Sequence, residues 1–186
     1  MALPCRPEQS DAPPLWCLAC DRPGLVWTLE NDARTAYKVE STWKHHMSPV
    51  LSNGVVSHGS AFTWTFVLDN YEVCTTYSDT PTHTGNDFDI GFVKPSFKQS
   101  WLRDTPLCSG CWGSKDTKEM VGKPGDVFEC ALDNAAGEAS IVRNGELMKA
   151  FSFKPDGPLR FAVAFRADRT RVTLVDSETV LVKGAR

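Results

Sequence analysis

The sequence predicts an all-β protein: an antiparallel two-sheet β-sandwich over residues 16–186, preceded by an extended N-terminal arm over residues 1–15. Three observations carry this. Apolar residues recur with period two from Val50 onward, no window sustains the i, i+3, i+4 spacing of an amphipathic helix, and the turns between apolar runs are spelled out by Asn and Gly.

Met1–Pro14 is rich in Pro and polar residues and lacks an apolar stretch, which suits an extended arm. Between Trp16 and Trp43, Leu25–Leu29 and Tyr37–Glu40 read as two strands, or as one strand and a ragged connection. In the next run Phe62, Trp64, Phe66 and Leu68 share one side and Thr63 and Thr65 the other, so one face is buried and Trp64 and Phe66 are core residues. Asp89–Val93 and Cys111–Gly113 follow as short apolar runs. Val127–Asp133 places Phe128, Cys130 and Leu132 on one face, which puts Cys130 in the core, and the turn Asn134-Ala135-Ala136-Gly137 ends it. Asn144-Gly145 is the strongest hairpin signal in the chain, because a type I′ turn needs positive φ at both central positions. Leu159–Phe165, with Phe161, Val163 and Phe165 in phase, and Arg171–Val175, with Val172 and Leu174 in phase, complete a meander.

The string Gly125-Asp126-Val127-Phe128-Glu129-Cys130-Ala131-Leu132-Asp133, then Gly137, then Asn144-Gly145-Glu146, then Phe151-Ser152-Phe153, resembles the C-terminal half of a SPRY domain, a concanavalin-like sandwich. Phe62–Val67 looks like that family's aromatic strand, Asp89–Val93 like its glycine-containing strand, and Cys111-Trp112-Gly113 stands where a Trp strand is expected; the resemblance spans about residues 59–175. It implies a rigid sandwich that binds a short peptide or a folded partner through loops at one end. Carried over to this chain, the loop between the last two strands is Arg166-Ala167-Asp168-Arg169, charged where some relatives place aromatic and small residues. Tyr77–Asp87 and Phe97–Pro106 are the other expected rims, and Tyr77, Trp101 and Arg103 are residue types enriched at binding hot spots, although Trp101 could equally cap the core.

Composition narrows the function. With 186 residues, 41% hydrophobic, the chain can fill one core. A net charge of −3 offers no basic stripe for phosphates, so nucleic acid is not the expected ligand. No apolar run approaches a membrane span. Seven cysteines without an export signal point to a reducing, intracellular setting, the cytoplasm, rather than to a disulfide framework. Catalytic motifs are missing: there is no Gly-x-Ser-x-Gly elbow and no Gly-rich phosphate loop, His45, His46 and His83 lack metal-motif spacing, and Asp87 and Asp89 lack a calcium loop. The expectation is a noncatalytic module.

Cys17-Leu18-Ala19-Cys20 and Cys108-Ser109-Gly110-Cys111 form two Cys-x-x-Cys pairs, each able to supply two corners of a zinc tetrahedron. Such a clip would tether the N-terminal segment to the loop before Trp112 and would be a departure from the family. Two other readings stay open: inert thiols, or a disulfide or redox pair. Cys5, Cys74 and Cys130 lie outside the set.

The expected function is therefore protein–protein interaction, as an adaptor or as a subunit of a larger assembly, of undetermined oligomeric state. One alternative is a lectin-like carbohydrate binder using Thr63, Thr65 and Asp69. Another is a zinc-containing nucleic-acid-associated protein, suggested by Trp16 directly before Cys17.

Overall fold

A computed structural model describes residues 15–18, 27–39, 48–70, 88–96, 112–113, 122–154, 156–165, 169–175 and 179–180. Among these residues every regular element is a strand: β1 (Trp16–Leu18), β2 (Trp27–Glu30), β3 (Thr35–Lys38), β4 (Ser48–Ser52), β5 (Ala61–Asn70), β6 (Phe88–Val93), β7 (Trp112–Gly113), β8 (Val127–Asp133), β9 (Glu138–Arg143), β10 (Glu146–Ser152), β11 (Arg160–Phe165), β12 (Arg171–Leu174) and β13 (Thr179–Val180). No helix among them is long and apolar enough to cross a membrane.

The strands build two sheets in which all hydrogen-bonded neighbours run antiparallel: a five-stranded sheet in the order β1-β4-β11-β6-β7, and an eight-stranded sheet in the order β10-β9-β8-β5-β12-β3-β2, with β13 pairing β5. The sandwich expected from period-two burial is the one formed. The meander runs in register: Cys130 faces Trp64 on one side and Ile141 on the other. Asn144 and Gly145 adopt φ of 51° and 82°, the left-handed pair that a type I′ turn requires. Asn144 Oδ1 also accepts the Val127 N–H at 2.9 Å, and its Nδ2 donates to Asp126 Oδ1 at 2.8 Å, so the turn is fastened by its own side chain.

Phe161, from β11, is the hub where the two layers meet. Its ring lies 5.2 Å from Trp64 and 6.0 Å from each of Trp16, Phe66 and Phe92, and all five aromatics are buried. Burying each such ring is worth about 1.5–3 kcal/mol, which makes this cluster the main apolar contribution to holding the layers together. Cys130 is in the core as expected; burial, with a smaller contribution from the Glu129 charge, pushes its thiol far up, so it remains a neutral apolar group.

Three features differ from the sequence reading. Trp16-Cys17-Leu18 is a strand paired with Val50–Ser52, so Cys17 sits on extended backbone rather than in a tight turn. The second N-terminal strand occupies Thr35–Lys38, two residues earlier than the Tyr37–Glu40 run suggests, because Ala36 and Lys38 take the inward phase. Finally, all six residues of β11 are buried: Phe161, Val163 and Phe165 face the aromatic core, while Arg160, Ala162 and Ala164 face the other way with Leu51, Val93 and Asp89 and are buried there too.

Candidate partner-binding site

The crossover from β11 to β12 passes from one sheet to the other, and its two stems are held from inside. Lys38 is 1% exposed. Its Nζ donates to the Phe165 carbonyl at 3.0 Å, and its backbone N–H donates to the Thr170 carbonyl at 2.8 Å. One buried residue of β3 thus grips the last residue of β11 and the residue before β12. Thr170 is fully buried at the far stem. Between the stems, Arg169 has φ 57°, is exposed, and its carbonyl accepts a hydrogen bond from Asn70 Nδ2 at 3.0 Å. Of the expected loop residues only Arg169 falls within the described residues; Arg166, Ala167, Asp168, Tyr77, Trp101 and Arg103 lie outside them.

Beside Arg169, the outer surface of the large sheet is polar and already cross-linked. Arg171 lies 5.3 Å above the Tyr37 ring and pairs with Glu30 at 3.3 Å. Asn31 Nδ2 donates to Thr35 Oγ1 at 3.0 Å, Thr35 meets Thr173 Oγ1 at 2.9 Å, and the Thr173 hydroxyl donates to the Asp69 carboxylate. Because Thr173 spends its proton on Asp69, Thr35 must be the donor to Thr173, and the chain runs in one direction across three strands. Thr63, Thr65 and Asp69 do share the outer phase of β5, as a sugar-binding face would need. Asp69, however, is engaged by Thr173, and one face of the Tyr37 ring is occupied by Arg171.

Of the four knuckle cysteines, Cys17 alone is described; Cys20, Cys108 and Cys111 lie outside the described residues. Cys17 is 8% exposed and disulfide-bonded, and its Sγ accepts a hydrogen bond from Arg160 Nη2. Arg160 also donates through Nε to the Ser52 carbonyl at 2.8 Å, and burial pulls its guanidinium below its ordinary value. No group of three metal-ligating side chains forms among the described residues. Trp16, which the nucleic-acid alternative would set against a base, is 1% exposed and stacks on Phe161.

Sequence reasoning missed Lys38 and Arg160, the two buried cations among the described residues. Each had a signal: Lys38 follows Ala36 on an inward phase, and Arg160 opens a strand that is otherwise Phe-Ala-Val-Ala-Phe. A buried cation in such a place needs oxygen partners, and both find backbone carbonyls.

No protein-family model matches the chain, and no curated protein does. Solved structures do. The SPRY domain of human HERC1 superposes with a TM-score of 0.57 at 17% identity, covering 82% of this chain and 93% of that one. The TRIM65 PSpry domain gives 0.58 at 13%, covering 88% and 90%. The NEUZ (NHR) domain in Neuralized from Drosophila melanogaster gives 0.56 at 13%, covering 91% and 95%. The two antiparallel layers and these superpositions lead to one structural conclusion: this chain has the fold of a SPRY domain.

Proposed function

We propose that this protein is a noncatalytic interaction module that docks a peptide or folded partner on the end of the sandwich carrying Arg166-Ala167-Asp168-Arg169. The observation that carries the reading is the double grip of Lys38 on Phe165 and Thr170. Recognition loops work when a stiff scaffold fixes their stems, since little ordering is then left for the partner to drive. Arg166, Asp168 and Arg169 act chiefly through orientation and association rate, as rim charges do. Tyr77, Trp101 and Arg103 complete the contact surface in this proposal. An adaptor or assembly subunit in the cytoplasm is the role that follows.

A zinc clip of Cys17, Cys20, Cys108 and Cys111 belongs to the same proposal for the reduced protein alone, as a fastening of the N-terminal segment and not as a reactive centre, because the structure holds the Cys17 sulfur in a disulfide. Its support is the paired spacing of the cysteines.

The test is affinity purification with mass spectrometry, comparing the wild type with Arg166→Ala/Arg169→Ala. In this proposal neither arginine supports the fold, and surface substitutions move stability by no more than about 0.5 kcal/mol, so the variant should keep its melting temperature and lose its partners. Retention of every partner, or a large drop in stability, overturns the end-loop assignment.

A further inference from the structure

A second surface lies on the outer face of the large sheet, at the β10 edge. We infer that the outer face of β8, β9 and β10 docks a basic peptide segment with an apolar anchor, an interaction independent of the end loops.

The register sets the composition of this face. Ala131, Ser140 and Ala150 align across the three strands, and Asp133, Glu138 and Ser152 align in the next row. These six residues, together with Ala139 and Phe151, line an open cavity of about 540 Å³, within the range of roughly 300–1,000 Å³ usual for ligand sites. The row Ala131, Ser140 and Ala150 carries only small side chains, so a bound chain can approach the sheet closely there. At the other end of the strands Leu147 stands opposite Val142. Leu147 is 61% exposed, the most exposed large apolar side chain among the described residues.

Charge identifies the occupant. Asp133 and Glu138 are direct cross-strand partners, and Glu129 lies in the same outward phase. Like charges placed opposite each other on a sheet are destabilising. Asp133 Oδ1 is engaged by the N–H groups of Ala135 and Ala136, at 2.9 and 2.8 Å, whereas among the described residues no base pairs with Glu138 or Glu129. The basic residues of the hairpin do not relieve this: Arg143 is in register with Phe128 and Lys149 with Ile141, the phase of the core. The face therefore carries acids without bases, a small-residue floor and one protruding leucine. A segment presenting Lys or Arg to Glu138 and Glu129, and an apolar side chain to Leu147 and Val142, complements all of these.

The probe is a fluorescein-labelled peptide of alternating lysine and leucine, with a glutamate–leucine peptide as control, read by fluorescence anisotropy. The lysine peptide should bind the wild type saturably, weaken as salt shortens the electrostatic range, and bind at least about tenfold more weakly to Glu129→Gln/Glu138→Gln and to Leu147→Ser. Both variants alter exposed side chains, so melting temperatures check that the fold is kept. Arg166→Ala/Arg169→Ala should bind this peptide like the wild type, which separates the inference from the end-loop proposal. Equal binding by the sheet-face variants, equal binding of the glutamate peptide, or self-association in sedimentation that Leu147→Ser abolishes would each overturn it, the last in favour of a second copy of the chain.

Discussion

The Lys38 ammonium reaches through the sandwich from β3 to the carbonyl oxygen of Phe165 on β11, a contact of 3.0 Å between the two sheets. Replacing Lys38 with Met keeps the apolar stem and removes the donor. Leaving the Phe165 oxygen buried without that partner should cost about 1–3 kcal/mol, read as a lower urea midpoint with unchanged slope. Because the same residue holds the loop stems, partner capture should fall by more than the small unfolded fraction explains.

The Asn144-Gly145 turn allows a cleaner measurement. A Cβ added to Gly145 meets nothing within 4 Å, yet φ is +82°, so Gly145→Ala should cost about 1–2 kcal/mol, all of it backbone conformation. Asn144→Ala should cost at least as much, since it also loses the bonds to Val127 and Asp126. Equilibrium unfolding of the two variants side by side checks the order.

Cys130 predicts a pH dependence with a definite sign. Burial raises the folded thiol far above its ordinary value of 9.0, so the folded state keeps its proton while the unfolded state releases it. The contribution is fully present below about pH 9 and is lost as pH rises beyond it. Wild-type stability should therefore fall more steeply between pH 8 and 10 than that of Cys130→Val, with pH 10 chosen roughly one unit above the unfolded value. Identical slopes would contradict the burial argument.

The paired cysteines are decided by counting. The zinc clip predicts one metal ion per chain in purified protein and none after Cys108→Ser. A disulfide at Cys17 predicts no zinc and a thiol count that rises on reduction.

Much of the fold is legible in the sequence where turn chemistry and period two agree. From Val127 to Leu174 the alternation of Phe128, Cys130 and Leu132, the Asn144-Gly145 pair and the phase of Phe161 and Val172 all survive into the structure. Short strands fare worse: β1 has three residues, too few for a period, and its Cys-x-x-Cys start draws attention to metal chemistry instead. β11 hides a second buried face because alanine and glycine suit either environment, so Ala162, Ala164 and Gly91 do not betray it. The recognition loops are a different case. Residue types there suggest contact, but local periodicity says nothing of how they group in space, and of the proposed set only Arg169 is described.

The place of β12 in the large sheet has a consequence for biosynthesis. It is inserted between β5 and β3, so the β2–β3 hairpin, although made before β5, joins that sheet only through β12, which is made after every other strand of that sheet but β13. A ribosome must therefore deliver Leu174 before the early hairpin finds its seat, and a premature stop shortly upstream of it should yield an aggregation-prone product rather than a slightly shortened domain.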